Sequence, residues 1–250
     1  MADAALLTAR DLTRRFGGLM AVGGLSLDLH RGRIHAVIGP NGAGKSTLTN
    51  LLSGDIAPSS GQVMLAGQDV TGRSPEHISR RGLGRSYQKT NIFLPFTVWD
   101  NVRLAAQSRQ PHALAWWRRA DGFADTRARA ERALELAGMA ARRGTIAGAM
   151  SHGEQRQLEI AMALATEPSV LLLDEPLAGM GTAEAERMVA LLLQLKAAHA
   201  IMLVEHDMDA VFALADQLTV MVNGQTIATG TPAQIRADAN VQAAYLGEES

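Results

Sequence analysis

The chain has 250 residues, 24 Lys+Arg against 25 Asp+Glu for a formal net charge of −1, 47% hydrophobic residues and no cysteine. The near-neutral balance argues against a nucleic-acid partner, and the missing cysteines exclude disulfides, thiolate zinc sites and a Cys nucleophile. No run of strictly apolar residues exceeds six, against the roughly 20 that a membrane-spanning helix needs, and the N-terminus shows no basic-then-apolar leader, so a cytoplasmic globular chain of one large domain or two small lobes is expected.

In chain order, the first third alternates short apolar runs with glycine, the mark of strands and turns. Ser26 to Leu29 alternates polar with apolar, Ile34 to Ile38 is an apolar strand, and 61–70 forms a hairpin turning at Ala66-Gly67. The middle is rich in Ala, Arg, Leu and Glu, with helical periodicity up to Gly138 as a C-terminal stop. Residues 154–165 make a second amphipathic helix. Val170 to Leu173 and Ala200 to Val204 read as strands buried on both faces, joined by a helix over 182–198 with Thr182 as N-cap. Asn223-Gly224 turns a last hairpin. The pattern is an α/β core with a helical insertion.

Chemistry concentrates first in Gly39-Pro40-Asn41-Gly42-Ala43-Gly44-Lys45-Ser46-Thr47, which fits G-x-x-x-x-G-K-[ST] between a strand and a helix. Such a loop curls its N–H groups around a phosphate at a helix N-terminus. Lys45 adds a point charge for the β- and γ-phosphates, and Ser46 a hydroxyl ligand for Mg²⁺. Further on, the apolar strand 170–173 ends in Asp174 and Glu175. Ligands sit at the carboxyl ends of strands in such folds, so Asp174 reaches the metal shell and Glu175 an attacking water.

The remaining motifs carry a family resemblance. Ser151-His152-Gly153-Glu154-Gln155, 23 residues before Asp174 and opening a helix, resembles the signature motif of ABC-type ATPases. Gln88 in Ser86-Tyr87-Gln88-Lys89-Thr90 is similar to that family's Q-loop, and His206 to its switch histidine. Phe16 stands where the family stacks an aromatic on adenine, with Val22 a candidate to share the contact. Order and spacing agree from residue 16 to 206. Two departures stand out. His152 and Glu154 replace a glycine and a glutamine of the signature, and Gly181 takes the place of the D-loop aspartate.

The resemblance implies an ABC cassette with a RecA-like P-loop core and an antiparallel β subdomain (1–92 with 150–250), and an inserted helical subdomain (93–149). It implies ATP and Mg²⁺ as cofactors, with Ser46, Gln88 and Asp174 around the metal. Glu175 is then the general base or water-orienting group, Gln88 a catalytic residue as well as a metal ligand, and His206 a contact to the γ-phosphate. Ser151 and Gly153 face the nucleotide of a second ATPase subunit in a head-to-tail dimer. The helical segment, locally basic through Arg118, Arg119, Arg127, Arg129, Arg132, Arg142 and Arg143, is read mainly as a solvated surface; Trp116-Trp117 has either an exposed ring or a loop setting. Phe16-Gly17-Gly18-Leu19, Glu175-Pro176-Leu177-Ala178-Gly179-Met180, Val204-Glu205-His206-Asp207-Met208 and Ala244-Tyr245-Leu246-Gly247-Glu248 resemble the ATPases of branched-chain amino-acid importers and their amide and urea relatives. Two membrane permease subunits and, indirectly, a periplasmic binding protein would be its partners, at the inner face of the membrane. A soluble cofactor-assembly ATPase is the alternative. A GTPase reading lacks an Asn-Lys-x-Asp tetrapeptide.

Overall fold

The computed structural model describes residues 4–87, 91–109 and 124–246. Gln88, Trp116-Trp117, Arg118 and Arg119 lie outside them, as does the end of the C-terminal motif. The chain runs β1 (Leu7–Phe16), β2 (Leu19–Leu29), β3 (Ile34–Ile38), α1 (Lys45–Ser53), β4 (Ser60–Leu65), β5 (Gln68–Asp69), α2 (Pro75–Arg80), β6 (Leu83–Arg85), α3 (Val98–Gln107), α4 (Ala124–Leu136), α5 (His152–Leu164), β7 (Val170–Asp174), α6 (Thr182–Lys196), β8 (Ala200–Val204), α7 (Met208–Leu214), β9 (Gln217–Val222), β10 (Gln225–Gly230), α8 (Pro232–Ala237) and α9 (Ala239–Leu246).

One sheet has the order β10-β9-β3-β8-β7-β6, with β3 parallel to β8 and β9, β7 to β8 and β6, and β10 antiparallel at the edge. Strands β3, β7 and β8 are wholly buried, which is why their sequences are continuous apolar runs rather than alternating ones. Their side chains still divide by the two-residue period. Ile34, Ala36, Ile38, Leu171, Leu173, Ile201 and Leu203 face the helices. Val37, Val170, Leu172, Ala200, Met202 and Val204 meet the antiparallel sheet β2-β1-β4-β5.

The helical segment is entered and left at one place. Thr97 bridges Ile146, Ala147 N–H donates to Phe96 O (2.9 Å) and Gly148 N–H to Leu94 O (2.8 Å). Its Val98, Val102, Ala130, Ala133 and Leu134 share a core with Leu158, Ile160 and Ala161 of α5, so α5 ties insertion to sheet. The arginines here spend their charge locally: Arg127 pairs with Glu131, Arg129 and Arg132 with Glu167, and Arg142 with Glu154, while Arg143 lies over the Trp99 ring.

The turn expectations hold. Ala66 and Gly67 (φ 49° and 75°), Asn223 and Gly224 (49° and 77°) and Gly138 (68°) all take the left-handed backbone their sequences signal. Helix α6 begins one residue earlier than expected: Gly181 is the N-cap, and Thr182 is the first helical residue. A glycine cap supplies no side-chain acceptor, a cost of only a few tenths of a kcal/mol against the favoured cap residues.

A buried histidine sits in the central strand. His35 on β3 is 4% exposed, and its Nε2 meets Thr219 Oγ1 at 2.8 Å. Burial pushes its pKa down from 6.5 to about 4, against a smaller upward pull from Asp28. The folded chain therefore keeps His35 neutral where the unfolded chain is already protonated, so stability falls as pH drops from about 6.5 towards 4. The contribution to the loss between pH 7 and 4.5 is about 2 kcal/mol. Urea titrations should show a smaller acid loss in His35→Gln by that amount; an equal loss in both proteins would clear His35. Glu159, Glu205 and Asp174, all pushed up by burial, act in the opposite sense and cancel in the difference.

Candidate active site

Strand register brings the site together. Val37 pairs with Val204, and Val204 with Asp174, so the chain leaves β3, β8 and β7 side by side at their carboxyl ends, where parallel sheets hold ligands.

The loop after β3 is closed by its glycines. A Cβ on Gly39 would stand 2.1 Å from Met221 O, and one on Gly44 2.2 Å from Ala21 O; Gly44 also has φ 102°. Gly44 is the N-cap of α1, which has no side-chain cap and no acidic residue in its first turn. The first amides and the positive end of the helix are thus left for an external anion. Lys45 lies against the same loop and donates to Gly39 O (2.5 Å) and Pro40 O (2.9 Å). Burial lowers its pKa, while the charges of Glu175 and then Asp174 pull it up. Ser46 is exposed.

Asp174 is 2% exposed, and its Oδ1 has no hydrogen-bond partner among the described residues. Burial raises its pKa, with Arg85 the main opposing charge. A buried, unpartnered carboxylate oxygen beside a phosphate loop fits a divalent cation. Among the described residues no group of three His, Cys, Asp or Glu side chains is placed to hold a metal ion by itself. That suits Mg²⁺, which takes one or two protein oxygens and completes its shell with phosphate and water.

Glu175 adopts φ 50°, uncommon for a residue with a side chain. Its N–H donates to Val204 O at 2.8 Å, pinning the turn to the end of β8. Its Oε1 lies 4.0 Å from His206 Nδ1. Glu205, which sequence reasoning missed, holds both neighbours: Oε1 accepts from Leu177 N–H (2.8 Å) and Oε2 from His206 N–H (3.3 Å). Its signal was an acidic residue closing the apolar run 200–204, the same pattern that revealed Asp174.

The signature stretch opens α5. Ser151 is its N-cap, accepting from Glu154 N–H, while the Glu154 carboxylate accepts from Ser151 N–H in a capping box. A glutamate at this position therefore fits the local geometry. Ser151 Oγ also donates to Glu184 Oε1 at 2.7 Å. Among the described residues, none of the hydrogen bonds of Ser151 or Gly153 reaches the phosphate loop.

Phe16 is 45% exposed, and the Arg14 guanidinium lies over one face of its ring, 4.5 Å from the centre, so only the opposite face can stack on a base. Val22 is fully buried in the core between the sheets. That corrects the expectation of a shared adenine contact, because no surface of Val22 is left for a base.

Comparison with known proteins bears on the whole arrangement. The family model for the ABC transporter matches residues 22–178, and that for the branched-chain amino acid ATP-binding cassette transporter matches 225–250. The chain is 38% identical to the Pseudomonas aeruginosa high-affinity branched-chain amino acid transport ATP-binding protein BraF and 37% identical to LivG, the Escherichia coli protein of the same description, in each case over 97% of this chain and 98% of the relative. It superposes with a TM-score of 0.84 on the ADP conformation of MJ1267, an ATP-binding cassette of an ABC transporter, at 28% identity over 97% of this chain and 99% of that one. The glycine-closed phosphate loop, the paired carboxylates and the capped signature helix thus belong to an ATPase, and the chain is a member of the ABC transporter family, in its ATP-binding branch.

Proposed function

We propose that this chain powers an importer for branched-chain amino acids or related small polar solutes, as one of two ATPase subunits docked on separate membrane permeases. The observation that carries the substrate class is near-full-length similarity to BraF and LivG together with the match of 225–250 to the branched-chain cassette model. Their transport names favour import over soluble cofactor assembly. No helix among the described residues is long and apolar enough to cross a membrane, so permeation falls to partners at the inner face. The surface supports this. Phe93, Leu94, Phe96 and Ile146 are half exposed where the helical segment begins and ends, and a groove of about 320 Å³ is lined by Arg85, Tyr87 and Glu159. Residues 93–149 act as the helical subdomain, and 1–92 with 150–250 as the core.

In the proposed mechanism the loop amides of 39–47 and Lys45 bind the phosphates, and Phe16 stacks on adenine. Ser46 and Asp174, with Gln88, hold Mg²⁺, which when bound neutralises charge across the β- and γ-phosphates. Glu175 takes a proton from, or orients, the attacking water, and His206 contacts the γ-phosphate. Ser151 and Gly153 of a second subunit close over the same phosphate, so binding closes the pair and hydrolysis releases it.

The test is co-expression with permease subunits of the branched-chain amino-acid transporter class, followed by reconstitution in proteoliposomes. ATPase activity should rise several-fold when a periplasmic binding protein loaded with leucine, isoleucine or valine is added. Recovery only as a soluble complex that no permease stimulates would overturn the reading.

A further inference from the structure

The start of the signature helix is already occupied by a carboxylate of its own chain. Ser151 Oγ donates to Glu184 Oε1 at 2.7 Å. A Cβ built on Gly153 would fall 2.8 Å from Glu184 Cδ and Oε2, so the carboxyl group lies directly on that glycine. These are the two residues that the dimer reading assigns to the γ-phosphate of the partner's ATP. A helix N-terminus favours an anion, and here Glu184 supplies one.

Glu184 reaches across because its own helix makes no claim on it. It stands at the third position of α6, where a glutamate commonly folds back on an N-cap Ser or Thr. Here the cap is Gly181, and no side-chain cap bond forms. A second berth lies close by. A polar cavity of about 250 Å³ borders Gly153, Glu154 and Glu184 and is lined by Arg142 and Arg187. Arg142 is paired with Glu154, whereas Arg187, one helical turn beyond Glu184, has no ion pair among the described residues.

We propose that Glu184 is an internal competitor for the terminal phosphate of a nucleoside triphosphate at the signature face, and that it swings from Ser151 towards Arg187 when the second subunit closes. The exchange is only partly offset: Ser151 O–H passes from a carboxylate to a phosphate oxygen, and Glu184 passes from Ser151 and the positive start of the helix to a more solvated guanidinium. Closure of the ATP dimer is thereby made harder by two such displacements, one at each site. This rests on the dimer reading given above.

The test uses full-length Glu175→Gln protein, in which Mg·ATP is expected to accumulate the closed dimer, followed by sedimentation. Adding Glu184→Ala should tighten the dimer about tenfold, roughly threefold at each site, because the new Arg187 contact offsets most of what each broken charge-assisted hydrogen bond is worth. Glu184→Gln, which keeps the shape and loses the charge, should move the Kd the same way by a smaller factor. An unchanged or weaker dimer in both variants means that Glu184 supports Ser151 rather than competing at it, and the proposal falls alone. A Glu175→Gln parent that stays monomeric at saturating Mg·ATP overturns the dimer reading and the competitor with it.

Discussion

Replacing Glu175 by Gln should leave ATP affinity within a few-fold of wild type and cut steady-state ATPase turnover by roughly a hundred- to ten-thousandfold, the usual worth of a positioned general base. The amide keeps the volume and the ability to touch water but cannot take its proton. The backbone gives the argument its weight. Glu175 holds a left-handed conformation at φ 50°, which costs about 1–2 kcal/mol for a residue with a Cβ, and its N–H is tied to Val204 O at 2.8 Å. Such strain persists only where the surroundings over-determine it, and it gathers at functional sites. The substitution leaves the strain and the tie intact, so a loss of turnover reports the carboxylate itself. The measurement pairs equilibrium binding of a fluorescent ATP analogue with phosphate release; turnover within tenfold of wild type would reassign the proton acceptor.

Gly44→Ala should be the more disruptive change, because it strikes both binding and folding. The new methyl would sit 2.2 Å from Ala21 O and 3.3 Å from Met221 Cε, at a φ of 102°. The close atom is a backbone carbonyl, so relief requires movement of β2 or of the loop, and either one rotates the first amides of α1 away from a common centre. ATP affinity is expected to fall at least a hundredfold, and stability by about 2–4 kcal/mol from strain and overpacking together. Calorimetry for ATP and urea denaturation check the two effects separately. Normal affinity in Gly44→Ala would show that the loop tolerates the displacement.

What the sequence made legible were features with local causes. The phosphate loop, the buried runs 170–173 and 200–204, and the turns at Ala66-Gly67 and Asn223-Gly224 each follow from residues within a few positions of one another. The antiparallel sheet was harder. Strand β1 shifts register between Ala9 and Leu12, where Asp11 has φ 49°, and a bulge breaks the two-residue period from which a strand is read. Strand β6 has three residues, too few to show any period. Helix α2 was readable in principle, since Ser74-Pro75 is a cap followed by proline at the first turn. Among the site residues, Lys45, Ser46, Asp174 and Glu175 were visible as motifs; Glu205 closes its apolar run as Asp174 does, but its contact with Leu177, like that of Glu184 with Ser151, joins residues far apart in the chain. Val22 went the other way: proposed to share the adenine contact with Phe16, it is fully buried between the sheets.

The row formed by Val37, Val204 and Asp174 has a consequence for how this enzyme fails. The loops that carry Lys45, His206 and Glu175 spring from adjacent strands at the middle of the six-stranded sheet, held about 4.8 Å apart by ladder hydrogen bonds. They cannot separate without breaking bonds in the part of the molecule that opens last in local unfolding. Catalytic competence and global folding are therefore a single cooperative property here. Heat or denaturant should remove them together, and a damaging substitution in the sheet is expected to lower the number of active molecules without degrading the chemistry of those that remain.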